Sequence, residues 1–290
     1  MAERSGATGN GEAVSGAPRS GDAGGLCDLP ASVTERDGAV VVRVLSYNVR
    51  SLRDDVAALG RVIKACRPDV VCVQEAPRFF RWRKAAARLA RSAGLVYVSG
   101  GATASGPMIL SSLRAQVERT EDVLLPRTPG LHQRGFATAV LRWGRARLGV
   151  LSCHLSIDDR ERYEQGRLLL ERLSALGVPH AVVGGDFNDR PDGRTFGLLA
   201  DALQDGWATK PWGREHTTRL GDPLQRIDAV FATPGVEVLG CGVPMGLAGV
   251  HEPDLRAATD HLPVLAALRV PASPHREAAQ IAADEGELAG

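Results

Sequence analysis

Six short stretches set carboxylates, amides and imidazoles at the ends of apolar runs. YNVR offers Asn48 and Arg50, VCVQE ends in Glu75, and VLSCHLS carries His154. VVGGDFND holds Asp186 and Asn188, QRIDAVF holds Asp228, and TDHLPV opens on Asp260 and His261. An apolar run closed by turn residues reads as a buried strand reaching a surface. If these ends share one rim, oxygen donors and acid–base groups meet there, and that set suits hydrolysis at phosphorus.

A hard divalent cation takes carboxylates, water and phosphate oxygens. Glu75 and Asp260 supply the carboxylates, and Asn48 adds a carbonyl or orients a bound water. The attacking water needs a base, and Asp186 is placed for it. Charge developing on the phosphoryl group needs donors fixed in advance, which Asn188, His154 and His261 provide. A histidine facing an anion donates best as imidazolium, and Asp228 is the candidate partner that holds the proton on His261. An all-oxygen ligand set selects Mg²⁺, with Mn²⁺ as a substitute.

Each residue taken singly also has a plain structural reading. Asp186 to Asp189 before Pro191 would make an Asx-rich turn. Asp228 would pair with Arg226 on the same side of a strand. His154, flanked by apolar residues, would be a satisfied core histidine. Six such motifs in order are far harder to obtain by coincidence than one.

The elements that must position these groups alternate along the chain. Strands are expected at 41–49, 69–75, 95–100, 108–113, 137–143, 147–156, 181–188, 226–232, 236–243 and 262–270. Helical spacing runs through Leu59, Val62, Ile63 and Cys66, over 77–93, and over 156–176. About ten strands with few crossover helices do not fit a parallel sheet, whereas two packed sheets flanked by helices do. Residues 1–38 are rich in Gly, Ala, Ser and charge and read as a disordered tail. The domain then covers 39–271, and 272–290 form a second tail.

The chain has 290 residues and a formal net charge of +1, so a uniformly basic surface for non-specific nucleic-acid binding is absent. No apolar window is long enough to span a bilayer, and the N-terminus has no apolar signal core. Five cysteines without metal or redox spacing read as reduced, mostly buried thiols in a cytoplasmic protein. The chain is read as a monomer.

The order of these motifs resembles the endonuclease/exonuclease/phosphatase superfamily, the deoxyribonuclease I-like fold. The residues that carry it are YNV at 47–49, QE at 74–75, CHLS at 153–156, GGDFND at 184–189, RID at 226–228 and TDHLPV at 259–264. They cover roughly residues 42 to 270. The resemblance implies an α+β fold, a four-layer α/β/β/α sandwich of two mixed sheets flanked by helices, and Mg²⁺-dependent phosphoester hydrolysis. Arg50 stands where abasic-site endonucleases of this fold carry an aspartate; in this it resembles deoxyribonuclease I and suits a phosphate contact. Arg134, in HQRGFATAVL, lies where family members place a phosphate-contacting arginine. His154 resembles the deoxyribonuclease I and sphingomyelinase branches, but GGATASGP at 100–107 contains no carboxylate to pair with it.

The expected activity is thus a phosphodiesterase with nuclease-like action on a phosphoester, nucleic acid being one candidate. A phospholipid or phosphorylated-metabolite hydrolase, and a non-catalytic binding member of the fold, are the alternatives. Loops around 101–107, 120–133 and 205–225 would select the substrate. PRFFRWRKAAARLARSA (77–93) carries six cations and no acid. It is either a solvated helix face or a landing strip for a polyanion, nucleic acid or anionic lipid.

Overall fold

The computed structural model describes residues 25–219, 221 and 224–273, so most of both expected tails lies outside the described residues. In chain order the elements are β1 (Val33–Thr34), β2 (Val40–Asn48), α1 (Val56–Cys66), β3 (Val70–Gln74), α2 (Trp82–Ala93), β4 (Val96–Gly100) and β5 (Met108–Ser111). There follow β6 (Gln116–Leu124), β7 (Gly135–Trp143), β8 (Ala146–His154), α3 (Asp159–Ala175), β9 (Ala181–Asp186) and α4 (Arg194–Ala202). The last are β10 (Gln204–Asp205), α5 (Gly206–Thr209), β11 (Asp228–Ala232), β12 (Glu237–Gly242), α6 (Glu252–Ala258) and β13 (Val264–Val270).

The strands form two sheets. One has the order β12-β13-β2-β3-β5-β4, with β1 against the start of β2, and the other has the order β10-β11-β9-β8-β7-β6. Each is mixed: β2–β3 and β8–β9 are parallel pairs joined through α1 and α3, and the remaining pairs are antiparallel. Three apolar layers hold the stack. Val42, Val44, Ile109, Ala139, Val150 and Ala266 fill the space between the sheets. Leu59, Ile63, Leu89 and Leu255 seat α1, α2 and α6 on the first sheet. Leu169, Leu173, Phe196 and Leu199 seat α3 and α4 on the second. The result is the expected four-layer sandwich, because each sheet buries one face on its partner and the other on helices.

The sheets approach closely where Gly184 lies. A Cβ there would stand 2.8 Å from Cys72 Cβ across the interface, so a side chain does not fit. This is the structural demand behind the glycine pair that precedes Asp186.

Several boundaries differ from the sequence reading. Residues 25–38, assigned above to the tail, pack on the domain: Leu29 is buried, Asp28 pairs with Arg43 and Arg67, and β1 joins β2. The low apolar content of the segment hid these few contacts. The region 120–133 is not all loop, since β6 runs to Leu124. Its sequence, QVERTEDVL, is polar because it is an exposed edge strand, where charge blocks unwanted pairing. The helix expected from Pro77 starts only at Trp82, with Arg81 left-handed before it.

Candidate active site

Strand register assembles half of the site. His154 of β8 is the Cα partner of Asp186 of β9 in the parallel pair, and Asp186 is the partner of Asp228 of β11 in the antiparallel pair. Three neighbouring strands thus present His154, Asp186 and Asp228 in one row, side chains on one face. The other sheet supplies the facing half. Asn48 ends β2 in register with Gln74 of β3, so Glu75 follows beside it. Asp260 and His261 arrive on the segment leading into β13, the other neighbour of β2.

Asp186 is the hub, and it is buried. Its Oδ2 accepts from Asn48 Nδ2 at 3.0 Å, and its Oδ1 accepts from the Asn188 backbone N–H at 3.0 Å. His154 Nε2 lies 3.4 Å from Oδ2, and His261 Nε2 lies 3.8 Å from it. Burial raises the pKa of Asp186, with Asp228 adding to the rise while His154, His261 and Asn48 oppose it. A buried carboxylate of this kind binds a proton more readily than an exposed one.

The two histidines differ in charge. Burial disfavours imidazolium at His261, but Asp228 Oδ2, 2.9 Å from Nδ1, outweighs it together with Asp186 and Asp260, and the pKa rises to about 10. His154 has no carboxylate of its own. Burial dominates there, Asp186 opposes it only in part, and the pKa falls to about 4. His154 is therefore a neutral imidazole near neutral pH and donates through one N–H. GGATASGP, as its composition indicated, contributes no carboxylate that would hold a proton on this ring.

Asn188 is left-handed, with φ 49°, a conformation asparagine tolerates. Its Nδ2 donates to Leu155 O at 2.9 Å, leaving the second amide hydrogen for a ligand. Asp189 plays a structural part other than the Asx turn considered for it: its Oδ2 accepts from the Thr195 and Phe196 N–H groups at the start of α4. Arg226 does not take Asp228. It pairs with buried Asp205 at 2.8 Å, and Asp228 is free for His261.

Glu75 is half-buried and left-handed, with φ 51°. Its Oε1 accepts from Asn48 Nδ2 at 3.2 Å. Asn48 thus clamps Glu75 and Asp186 through its amide nitrogen, while its Oδ1 accepts from the Arg50 N–H at 3.0 Å. In this arrangement it positions carboxylates rather than presenting a carbonyl to a cation. Glu75 opens on a cleft of about 260 Å³ that His154, Arg134, Arg78, Arg53 and His132 also line. Arg134 lines the same cleft; burial lowers its pKa, and Asp186 and Glu75 oppose that fall. Arg50 does not line this cleft. Its guanidinium meets Asp260 at 3.1 Å and Asp54 at 3.4 Å, while Arg53 and Arg78 line the cleft wall.

Two groups of donors could hold a cation. Asp186, Asp228 and His261 place ligand atoms within 4.8 Å of one another. A protonated His261 already bridges those two carboxylates, and a metal ion there would have to displace its proton. Glu75 suits a hard cation better: it is an oxygen donor with one hydrogen bond, facing the cleft. Asp260, the other carboxylate expected to hold a metal, is half-exposed and pairs with Arg50 at 3.1 Å; it does not line that cleft.

Sequence reasoning missed Thr217, which is fully buried. Its Oγ1 accepts from the Ile227 and Asp228 N–H groups, both at 3.1 Å, and its carbonyl accepts from Leu262 N–H at 2.7 Å. It ties the Asp228 strand to the His261 segment. A lone threonine in a polar loop carries no signal of such a role.

The sequence model of the endonuclease/exonuclease/phosphatase family matches residues 45–261, which include every residue of this site, and the chain belongs to that family. Its members are hydrolases acting on phosphoesters. Similar solved structures agree in fold. A family protein from Bacteroides thetaiotaomicron is 19% identical with TM-score 0.67, covering 80% of this chain and 98% of its own. A mannosyl-6-phosphatase from the same organism is 19% identical with TM-score 0.65, covering 78% and 99%. A truncated TDP2 from Caenorhabditis elegans is 17% identical with TM-score 0.58, covering 79% and 97%. A curated relative, glutamate 5-kinase from Cupriavidus taiwanensis, is 32% identical over 189 residues, 59% of this chain and 50% of that protein. The chain spans half the length of that relative, and the overlap carries no kinase activity to it.

Proposed function

We propose that the chain is a divalent-metal-dependent phosphodiesterase in which Asp186 activates water for attack on phosphorus. One observation carries this reading: a single buried carboxylate is held by Asn48 and Asn188 between a neutral and a protonated histidine. Glu75 and Asp260, steadied by Asn48 and Arg50, would hold Mg²⁺ or Mn²⁺. A bound divalent ion would polarise a phosphoryl oxygen and offset its charge.

The protein groups divide the remaining work. Asp186 takes the proton of the attacking water, a role favoured by its raised pKa. His261, kept cationic by Asp228, donates to the phosphoryl oxygens as their charge grows. The free amide hydrogen of Asn188 and one N–H of His154 add neutral donors. Arg134 orients the phosphate from the cleft wall.

A second reading rests on the cleft itself. Its volume of about 260 Å³ suits a single phosphoester with a small substituent, which favours a phosphorylated metabolite over a duplex. A substrate panel separates the two, with Mg²⁺ present and Asp186→Asn as the blank: plasmid and single-stranded DNA, RNA, sugar and inositol phosphates, and bis-p-nitrophenyl phosphate. Diester cleavage absent from the blank is expected; turnover of monoesters alone would replace the first reading by the second. EDTA should abolish turnover and Mg²⁺ or Mn²⁺ restore it, and activity that survives chelation would refute the metal assignment.

A further inference from the structure

Beside the cleft stands a surface that the chemistry at Asp186 does not use. Arg78 lines the cleft, and the next two residues, Phe79 and Phe80, are 82% and 91% exposed. Neither ring rests on a protein surface. Water against two adjacent phenyl rings is unfavourable, and an exposed apolar pair at a site's mouth marks a contact surface. The guanidinium of Arg78 lies 6.0 Å from the Phe79 ring centre, and that of Arg81 lies 5.3 Å from that of Phe80. Cation and ring therefore stand side by side on one exposed turn.

The helix that follows extends the cationic part. Arg81, Lys84, Arg88 and Arg91 recur at helical spacing and are exposed, as is Arg83, which stacks on Trp82 at 4.4 Å. The row spans about 15 Å along the helix. Among the described residues none of these cations, nor Arg78, has a carboxylate partner, whereas Arg50, Arg61, Arg147 and Arg172 elsewhere do. The opposite face of α2, with Ala86, Leu89, Ala90 and Ala93, is buried in the core, so the helix cannot roll its apolar side outward.

We propose that the Phe79–Phe80 turn and the basic face of α2 dock the protein on an anionic lipid bilayer, with the active-site cleft turned toward it. The rings enter the boundary between headgroups and acyl chains while the arginines and the lysine meet lipid phosphates. Two signals, one apolar and one electrostatic, give a reversible peripheral attachment; no helix of the described residues is long and apolar enough to span a membrane. A single-stranded nucleic acid would also meet cations and aromatic rings. Single strands are held in a basic groove that tracks their backbone, whereas these two rings, 82% and 91% exposed, stand out from the surface as an apolar tip suited to insertion. The inference does not depend on the reaction proposed for Asp186.

Co-sedimentation of the full chain with phosphatidylcholine vesicles, with and without roughly one-third phosphatidylserine, tests it. Binding is expected to the anionic vesicles, to weaken with salt, and to be slight on phosphatidylcholine alone. Phe79→Ser/Phe80→Ser should lower the partition roughly tenfold or more through lost apolar burial. Arg81→Gln/Arg88→Gln/Arg91→Gln should lower it roughly a hundredfold and flatten its salt dependence. All these side chains are exposed, and an unchanged thermal melt verifies that each variant is folded. The proposal is overturned if the wild type leaves anionic vesicles unbound, or if the variants bind them as the wild type does. It is equally overturned if the same variants lose binding to a single-stranded oligonucleotide while vesicle binding is unaffected.

Discussion

The two flanks of Asp186 carry the same side chain in opposite states. His154 is 3.4 Å away on the sheet row and is neutral; His261 is 3.8 Å away from the facing sheet and is cationic. Distance to Asp186 does not explain this, since the nearer histidine is the uncharged one. Both pay for burial. The difference is Asp228, which sits on the far nitrogen of His261 and has no counterpart behind His154. A carboxylate shared among several donors does not hold a proton on imidazole, whereas a dedicated one does.

The largest effect should come from the residue the flanks share. Asp186→Asn removes the base and should lower kcat/KM about a thousandfold or more in the diester assay. Retention of a tenth of the activity would make Asp186 a structural hub. Next come the flanks: His261→Ala should cost about 10²–10³-fold and His154→Ala clearly less, because an ionised donor binds a developing anion more strongly than a neutral one. The reverse order would dissolve the contrast.

Asp228→Asn sharpens it further. His261 loses its dedicated partner, so its pKa should drop from about 10 toward or below the ordinary 6.5, visible by NMR of the ring. In the wild type the stabilisation from His261 is complete below about pH 6.5 and is lost as pH rises through about 10; the variant should lack that alkaline loss. His154 has the opposite sign. The unfolded chain protonates it more readily, so folding weakens as pH falls from 6.5 toward 4. His154→Gln should shallow the acid limb of a melting-temperature profile while leaving the alkaline limb in place. The smallest effect belongs to Thr217→Val, which removes an acceptor from two backbone N–H groups and should cost about 1–3 kcal/mol in denaturant unfolding, with activity falling as His261 loosens.

Much of this was legible in the sequence. Apolar runs ending in polar residues gave the strands of both sheet centres, and the motifs gave every group around Asp186, because buried strands and reactive side chains both leave marks in residue type. What failed to show was set by geometry. QVERTEDVL reads as loop because an edge strand buries little. Leu29 and Asp28 are two residues in an otherwise polar stretch, yet they fix the chain to the domain. Whether Arg50 meets a phosphate or Asp260 depends on the left-handed turn at 50–52, which no residue pattern announces. The charge on His154 depends on what lies behind the ring, a fact of packing alone.

The register row through His154, Asp186 and Asp228 has an implication for how the enzyme comes into being. A shift of β9 by a single residue would carry Gly185 into the row and turn the carboxylate to the helix side. Asn48 and Glu75 on the facing sheet would keep their places, but the hydrogen bond that joins the two halves, Asn48 to Asp186, exists only in the native register, so the halves become one site when the central strands lock.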